Sequence, residues 1–323
     1  MQLYCAPMES LTGYVFRNAH QALFPGVDRY YAPFVSPGQN RCFTAREAND
    51  LLPEHNEGIP LVPQLLTNRA EDFLWAAEAL AEMGYREVNL NLGCPSGTVT
   101  AKGKGAGFLS HLDLLDAFLE QIFAKAPVAV SIKTRIGKAD PAEFERILDV
   151  YCRYPLSELI VHPRLQADKY RGQPRMEAFE RALARCPFPV GYNGDLFSAA
   201  QAREWADHYP AARSAMFGRG LIANPALIHH IQTGAPLKKA ELKRFYDRLC
   251  EGYLAVLPGE KTLLFRMKEH CLYMAPLFAD AEKHVKRVKK ATHLNEYVDA
   301  VNRLFDECDL APDAAFIPPG ASR

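Results

Sequence analysis

The chain has 323 residues, of which 48% are apolar, and its acidic and basic side chains are equal in number at 38 each. This is the composition of a soluble globular protein with a sizeable core. A net charge of zero excludes attraction of nucleic acid by the whole surface, so any such contact needs a local basic patch.

The cysteines and the first residues of the chain give two further expectations. None of the eight cysteines has the Cys-x-x-Cys spacing or a histidine partner at zinc-finger spacing, so we expect no metal site. The N-terminus has no basic stretch leading an apolar one, and no apolar run approaches the roughly 20 residues of a membrane span. We therefore expect a cytoplasmic protein with no membrane contact. As a separate expectation, the protein is a monomer.

Eight segments with strand character follow one another along the first two thirds of the chain. They are residues 3–8, 29–35, 59–66, 87–92, 128–134, 158–162, 188–192 and 214–217. Helical patterns lie between them, and three begin at capping-box pairs: Asn68 with Glu71, Ser110 with Asp113, and Ser198 with Gln201. This alternation predicts an α/β fold, the (β/α)8 TIM barrel, over residues 1–236. The alternative, a doubly wound open sheet, would usually carry Gly-x-Gly-x-x-Gly after its first strand.

The character of the sequence changes after residue 236. Residues 237–310 carry helical patterns without a strand signal, which predicts a separate all-helical domain, and residues 311–323 have the composition of a disordered tail. Within the helical part, residues 283–290 contain five fixed cations, including Lys286 and Arg287. Such a run is either a solvated helix face or a contact for phosphates.

Polar side chains, glycines and one thiol follow the predicted strands, and the active site of a (β/α)8 barrel lies where its strands end. They are Pro7, Met8, Gln64, Asn91, Cys94, Lys133, Arg135, His162, Arg164, Asn193, Gly194, Asp195, Gly218, Arg219 and Gly220. The cations and glycines of this set can bind an anion, and its amides can recognise a ligand through hydrogen bonds. The glycine turns at the last two strand ends predict a site for the phosphate of a mononucleotide cofactor, and Lys133 could stabilise negative charge on its ring.

Cys94 stands directly after the strand at residues 87–92. The loop that follows carries Lys102 and Lys104 and, counting Gly93, five glycines, so we expect it to be irregular, mobile and cationic. A thiol with an ordinary pKa of roughly 8.5 is protonated near neutral pH and can act as a general acid. The alternative, a nucleophile, requires a base beside it, and the nearby sequence offers none.

Seven short motifs along residues 1–235 together resemble those of the flavin-dependent tRNA dihydrouridine synthases. They are Ala6-Pro7-Met8 and residues 61–66, 89–96, 131–135, 161–164, 192–195 and 217–220. The most specific is the Asn-x-Gly-Cys-Pro block at residues 91–95, and the helical appendage is also similar to that of the family.

The resemblance implies FMN across the barrel mouth, reduced by NADPH or NADH. The phosphate would lie at Gly194 and residues 218–220, while Pro7, Met8, Gln64, Lys133 and His162 would contact the ring. A uridine flipped out of tRNA would receive hydride at C6 and a proton from Cys94 at C5. The residues implied on the substrate side are Asn91 and Arg135 on the uracil, Arg164 and Tyr170 near it, and Lys102, Lys104, Lys286 and Arg287 on phosphates.

Two positions depart from the usual family pattern. Ala32 stands where many members have a glutamate, and Pro163 replaces a glycine after the sixth strand, although Tyr170 still follows. We expect flavin binding to survive both changes and any effect to fall on the choice of uridine.

Two other functions are compatible with such a barrel. A small-molecule FMN oxidoreductase of the dihydroorotate dehydrogenase type would have no use for the helical domain and its cations. A non-catalytic RNA-binding barrel would have no use for Cys94, Lys133 and Arg135 at its mouth. The sequence therefore favours a tRNA-dihydrouridine synthase.

Overall fold

The structure, a computed structural model, describes residues 1–38, 40–311 and 314–316. Within these residues nine strands form one sheet, and all paired neighbours run parallel. The strands are β1 (Gln2–Cys5), β2 (Arg29–Tyr31), β3 (Leu61–Val62), β4 (Gln64–Leu65), β5 (Glu87–Leu92), β6 (Ala129–Arg135), β7 (Leu159–His162), β8 (Val190–Asn193) and β9 (Ser214–Phe217).

The sheet closes on itself through Pro63. The strand order is β3-β2-β1-β9-β8-β7-β6-β5-β4, so the first and last strands are the two halves of one chain segment. Proline has no N–H to donate to a ladder, which divides the predicted strand at residues 59–66 in two. The carbonyl of Pro63 still accepts the N–H of Asn89 at 2.8 Å. The predicted (β/α)8 barrel is confirmed, with its third strand in two parts.

Helices occupy most of the chain between and after the strands. They are α1 (Tyr14–Leu23), α2 (Ala45–Leu51), α3 (Ala70–Glu82), α4 (Gly97–Thr100), α5 (Leu112–Lys125), α6 (Glu143–Tyr151), α7 (Met176–Arg185), α8 (Ala199–His208), α9 (Arg219–Ala223), α10 (Leu227–Thr233), α11 (Lys239–Val256), α12 (Glu260–Met274), α13 (Glu282–Lys290) and α14 (Leu294–Glu307). Shorter 3-10 helices lie at Pro53–His55, Gly105–Ser110 and Ala275–Leu277. No helix in the described ranges is long and apolar enough to span a membrane.

The chain divides into two compact units, which we call the barrel unit and the helical unit. The barrel unit comprises Met1–Pro7, Asp28–Gly194 and Tyr209–Met216. The helical unit comprises Met8–Val27, Asp195–His208 and Phe217–Arg323. It therefore holds α1 and α8 to α14. The domain boundaries expected at residues 236 and 310 stay predictions.

One capping box is present as expected. The N–H of Gln201 donates to the hydroxyl of Ser198 at 3.2 Å, and the side-chain oxygen of Gln201 accepts the N–H of Ser198 at 3.2 Å. The prediction at Ser110 is wrong, because Ser110 ends a 3-10 helix and α5 begins two residues later without a side-chain cap. The 3-10 helix before α5 thus occupies Ser110, so the Ser-x-x-Asp pattern does not form a capping box.

The floor of the barrel, at the N-terminal ends of its strands, buries a carboxylate. The side chain of Glu158 accepts the hydroxyls of Tyr4 at 2.9 Å and Ser214 at 2.5 Å, and burial raises its pKa. A Cβ at Gly191 would stand 2.1 Å from the hydroxyl oxygen of Ser214, so only glycine leaves room for this cluster. Contacts at this end of a (β/α)8 barrel serve stability rather than chemistry.

The helical unit contains a stack of buried rings. Phe16 lies near-parallel to His20 at 5.6 Å and to His270 at 5.9 Å between ring centroids. Nε2 of His20 bonds the carbonyl of Pro225 at 2.8 Å, and Nε2 of His270 lies 3.3 Å from the hydroxyl of Tyr253. Burial lowers the pKa of His20 to about 4 and that of His270 to about 3, so both are neutral at pH 7.

The predicted disordered tail falls mostly on residues 312, 313 and 317–323, which lie outside the described residues. Within the described part, Phe316 is buried. Its ring packs 5.1 Å from that of Phe197 and 5.6 Å from that of Tyr273.

Candidate active site

A chain of side-chain hydrogen bonds connects the neighbouring strands β6, β5 and β4 and ends at the turn after β5. Asn89 donates to the hydroxyl of Ser131 at 2.9 Å and accepts from the amide of Gln64 at 2.7 Å. Gln64 in turn accepts from the amide of Asn91 at 2.7 Å. The side-chain oxygen of Asn91 accepts the backbone N–H groups of Gly93 at 3.0 Å and Cys94 at 2.9 Å. We call these four side chains the amide chain.

Strand register brings the amide chain together. Gln64 pairs with Asn89 between β4 and β5, and Asn89 pairs with Ser131 between β5 and β6. Asn89 and Asn91 are two residues apart on one strand, so both face the barrel interior. All four side chains are 7% exposed or less, and leaving one such buried group unpaired costs roughly 1–3 kcal/mol.

The backbone of the turn fixes the direction of the amide chain. An N–H can only donate, so Asn91 must present its oxygen to Cys94, and its NH2 group is then directed at the oxygen of Gln64. Each amide orientation follows from the one before it. The thiol of Cys94 is therefore carried by a turn that is fixed from inside the barrel.

The glycine-rich segment after Cys94 is not an irregular loop, and that part of our prediction is wrong. It forms α4 and a 3-10 helix, whose residues 105–109 are buried. Gly105 has φ +58°, and a Cβ there would stand 2.8 Å from the carbonyl oxygen of Cys94. At Gly107 a Cβ would stand 2.7 Å from the carbonyl oxygen of Thr100. These glycines allow close backbone approach.

Asn68 holds the cationic part of this segment instead of capping a helix. Its NH2 group donates to the carbonyls of Lys102 at 3.1 Å and Gly103 at 3.3 Å, while the N-cap position of α3 is Arg69. Lys102 is exposed and Lys104 is half-buried. Burial, assisted by the charges of Lys102 and Arg69, lowers the pKa of Lys104. The predicted capping box at Asn68 is wrong, because carbonyls distant in sequence compete for its amide.

Lys133 lies half-buried on β6, in register with Asn91. Burial first, and then the positive charge of Arg135, lower the pKa of Lys133 to about 7, while Cys94 acts in the opposite direction. The amine is therefore close to half-protonated at neutral pH, within electrostatic range of the thiol.

Arg135 joins the turn after β5 to the loop after β7. It donates to the carbonyls of Gly93 at 2.9 Å and Leu165 at 2.7 Å and is 1% exposed. The ring of Tyr170 lies 5.4 Å from the guanidinium and is 52% exposed. The structure thus leaves Tyr170 as an accessible aromatic surface above a buried cation.

Arg164 is fully buried and fastens the same loop. It donates to the carbonyls of Arg171 at 3.3 Å and Gly172 at 2.5 Å, and to Nε2 of His162 at 3.2 Å. Arginine cannot accept, so Nε2 of His162 accepts and the imidazole proton is on Nδ1. The predicted substrate contact of Arg164 stays a prediction.

The turn after β8 is tightly packed. The side chain of Asn193 donates to the carbonyl of Met216 at 2.8 Å, and a Cβ at Gly194 would stand 1.9 Å from the hydroxyl oxygen of Tyr192.

Pro7 is half-buried after β1. At the two positions that depart from the family pattern, the N–H of Ala32 donates to Val62 at 3.0 Å and the carbonyl of Pro163 accepts from Arg175 at 2.8 Å.

The remaining cofactor residues predicted from the sequence belong to the helical unit. Arg219 pairs with Asp195 at 2.7 Å, and its guanidinium lies 5.3 Å from the ring of Phe197. A Cβ at Gly220 would stand 2.8 Å from a backbone carbonyl, and the N–H of Met8 donates to the hydroxyl of Thr12 at 2.8 Å. Gly218 precedes α9.

Helix α13 presents its cations to solvent. His284 and Val288 are buried, whereas the basic side chains are all exposed. They are Lys283, Lys286, Arg287, Lys289 and Lys290. The predicted phosphate contacts of Lys286 and Arg287 stay predictions.

Sequence reasoning missed Asn89, Ser131 and Asn68. The signal for the first two was available, because Asn89 and Asn91 are polar residues with strand spacing on a segment flanked by apolar residues. In a closed barrel such a polar face lies inside, where each amide needs a partner. The local pattern marked Asn68 only as a helix cap, because its actual partners lie more than 30 residues away.

Comparison with known proteins adds an independent line of evidence. A profile described as Dihydrouridine synthase (Dus) matches residues 4–316. A tRNA-dihydrouridine(16) synthase of Cupriavidus necator is 30% identical over 251 residues, covering 73% of this chain and 76% of that protein. The tRNA-dihydrouridine synthase B of Vibrio cholerae is 27% identical, covering 96% of this chain and 92% of that protein.

Among solved structures, the old yellow enzyme of Trypanosoma cruzi aligns with a TM-score of 0.53 at 11% identity, covering 78% of this chain and 93% of that one. An old yellow enzyme homologue of Zymomonas mobilis aligns with a TM-score of 0.50 at 13% identity, covering 80% and 96%. This likeness shows the barrel fold alone. With its sequence motifs, its barrel and a matching profile over nearly its whole length, the chain belongs to the dihydrouridine synthase (Dus) family.

Proposed function

We propose that this dihydrouridine synthase reduces the C5–C6 double bond of a uridine in tRNA, with FMN as its flavin and NADPH or NADH as reductant. Family membership makes it a flavin-dependent oxidoreductase that modifies tRNA. The observation that carries the finer proposal is the turn bearing Cys94, which the amide chain fixes beside Lys133 and Arg135.

The residues at the barrel mouth fit a flavin. Lys133 and Arg135 supply positive charge, and His162 carries its imidazole proton on Nδ1. A flavin ring gains electrons on reduction, and nearby cations stabilise that charge. When bound, the reduced flavin supplies hydride to C6 of the uracil. Pro7, Met8, Gln64, Lys133 and His162 are proposed on its ring, and the two glycine turns, with Asn193, Gly194, Asp195, Gly218, Arg219 and Gly220, on its phosphate.

Cys94 is proposed to donate the proton that C5 requires. A thiol is a suitable general acid, because an unperturbed one, with a pKa of roughly 8.5, is protonated near neutral pH. After Cys94 has donated its proton it is a thiolate, and the positive charges of Lys133 and Arg135 stabilise that negative charge. Since its pKa is lowered to about 7, Lys133 can also return a proton to Cys94 between turnovers.

The substrate residues divide by chemistry. Asn91, Arg135, Arg164 and Tyr170 are proposed around the uridine, where the exposed ring of Tyr170 offers a stacking surface for a flipped base. Lys102 and Lys104 near the Cys94 turn, and Lys286 and Arg287 on α13, are proposed on phosphates.

The decisive experiment combines a spectrum with a product analysis. The purified protein is expected to show flavin absorbance, and incubation with NADPH and tRNA transcribed in vitro should add the mass of two hydrogens to one uridine, which digestion locates. Flavin bands without that product would favour a small-molecule oxidoreductase. A colourless protein that FMN does not reconstitute would leave only RNA binding.

A further inference from the structure

Helix α12 exposes a stripe in which cationic and apolar side chains alternate. Lys261, Phe265, Lys268 and Leu272 are spaced so that they share one helix face. Phe265 is 70% exposed, more than any other large apolar side chain among the described residues, and Leu272 is 42% exposed. An aromatic ring left this open to water, between two lysines of the same stripe, offers a face on which a planar ligand can stack.

Lys268 connects this stripe to the cations of α13. Its Nζ donates to the carbonyl of Lys289 at 3.1 Å and to that of Ala291. Phe265 is one turn before Lys268 on α12 and shares the exposed stripe with it. Lys289 and Lys290 belong to the segment that Lys268 binds; both are exposed, as is Lys286 one turn before them.

The two acidic side chains of α12 are already engaged. Glu269 is 3.6 Å from the guanidinium of Arg266. Glu260 accepts the backbone N–H of Leu294 and lies 3.8 Å from His293. The surface around Phe265 is thus left with positive charge, which suits a polyanion better than an apolar protein face or a second copy of this chain.

We propose that Phe265 stacks on an unpaired base of tRNA while Lys261 and the cations of α13 hold the adjacent phosphates. This inference rests on the proposed function, since it assigns a contact to the same substrate. A stacked ring does not read sequence, so it can hold any base that a tRNA loop leaves unpaired. A base inside a duplex cannot present its face in this way.

The test measures the affinity for in vitro transcribed tRNA over a series of salt concentrations. Phe265→Ala is expected to raise the Kd roughly 5- to 100-fold, as for other stacked bases, and to leave the salt slope unchanged. Lys290→Ala should instead lower the salt slope by about one, because it removes one phosphate contact.

Two matched controls are available in the same unit. Leu254→Ala removes an apolar side chain that is 58% exposed on α11. Arg303→Ala removes a cation that pairs with Asp299 at 2.9 Å on α14. Neither should change the Kd or the salt slope by as much as the corresponding stripe variant.

A fluorescent variant separates stacking from other roles of the ring. Phe265→Trp should bind tRNA as the native protein does, and its added fluorescence should be quenched by oligouridylate but not by a blunt RNA duplex. An unchanged Kd for Phe265→Ala, equal quenching by the duplex, or a loss of self-association in that variant would each overturn the inference. Any of these results, obtained with a native enzyme that binds and modifies tRNA, would overturn this inference alone. A native enzyme that neither binds nor modifies tRNA would overturn the proposed function as well.

Discussion

The mouth and the floor of the barrel both bury ionisable side chains, but they treat charge in opposite ways. At the floor, Glu158 is surrounded by hydroxyl donors, and Arg29 pairs with Glu87 at 2.8 Å. At the mouth, Arg135 is held by two backbone carbonyls, and the nearby carboxylate of Asp168 forms its ion pair with Arg175 instead. A carbonyl positions a cation without cancelling its charge, whereas a carboxylate cancels it. The floor is therefore built for stability, and the mouth keeps positive charge for an electron-rich ligand.

Removal of the thiol should have the largest effect. Cys94→Ala is expected to keep its flavin absorbance and to form dihydrouridine roughly 10²- to 10⁴-fold more slowly, the range for loss of a general acid. Mass analysis of digested tRNA measures the product. Cys152→Ala, which removes another half-buried thiol of the barrel unit, serves as the control. Native rates in Cys94→Ala would eliminate the proposed proton donor.

The helical unit provides a third treatment of buried ionisable groups, in which they are kept neutral. The folded-state pKa values of His20 and His270 are lowered to about 4 and about 3 from an ordinary 6.5. The unfolded chain therefore binds more protons below pH 6.5, and stability falls on acidification.

As the pH falls from 7 to 5, each of these histidines should lower the free energy of unfolding by about 2 kcal/mol. Urea titrations at the two pH values measure the loss. His270→Phe should reduce the pH dependence, whereas the exposed His208→Gln should not. An equal loss of stability in native protein and His270→Phe would contradict this account.

One pair of variants compares the two ends of the barrel directly. Ser131→Ala removes the last acceptor of the amide chain, and Ser214→Ala removes a donor to Glu158. Each should lower the unfolding free energy by roughly 1–3 kcal/mol, because each leaves a buried partner unpaired.

Only Ser131→Ala should also slow uridine reduction relative to flavin reduction by NADPH, since it loosens the turn that carries Cys94. Rapid-mixing absorbance separates the two half-reactions. Ser131→Thr keeps the hydroxyl and should restore the native ratio. If Ser214→Ala altered the ratio equally, the two ends would not differ in function.

The smallest effect is expected from the charge of Lys133. With its pKa near 7, the lysine loses its proton as the pH rises from 6 to 8, and stabilisation of the thiolate weakens accordingly. The rate of uridine reduction at saturating tRNA should fall by about tenfold over this range, one pKa unit of interaction being 1.4 kcal/mol. Lys133→Arg, which cannot lose its charge, should flatten the profile; a profile as steep as the native one would exclude Lys133 as its cause.

The sequence predicted most strands because each combines a regular apolar pattern with a break that follows it. The pattern at residues 87–92 matches β5 in full. The strand predicted at residues 59–66 was not expected to divide at Pro63, because the role of this proline as the closing point of the barrel depends on which strands become neighbours. The capping pattern at Ser198 succeeded because both of its partners are local, and that at Asn68 failed because its acceptors are not.

The sequence by itself determined the alternation of strands and helices, the family motifs and the identity of the residues at the strand ends. Only the tertiary structure decided what those side chains hold. Asn91 binds the turn of Cys94, Arg135 binds carbonyls from two loops, and Phe265 remains exposed one turn before Lys268, which binds the end of α13. Periodicity and capping are set by neighbours along the chain, whereas hydrogen-bond partners and residual charge depend on groups brought together by strand register and helix packing.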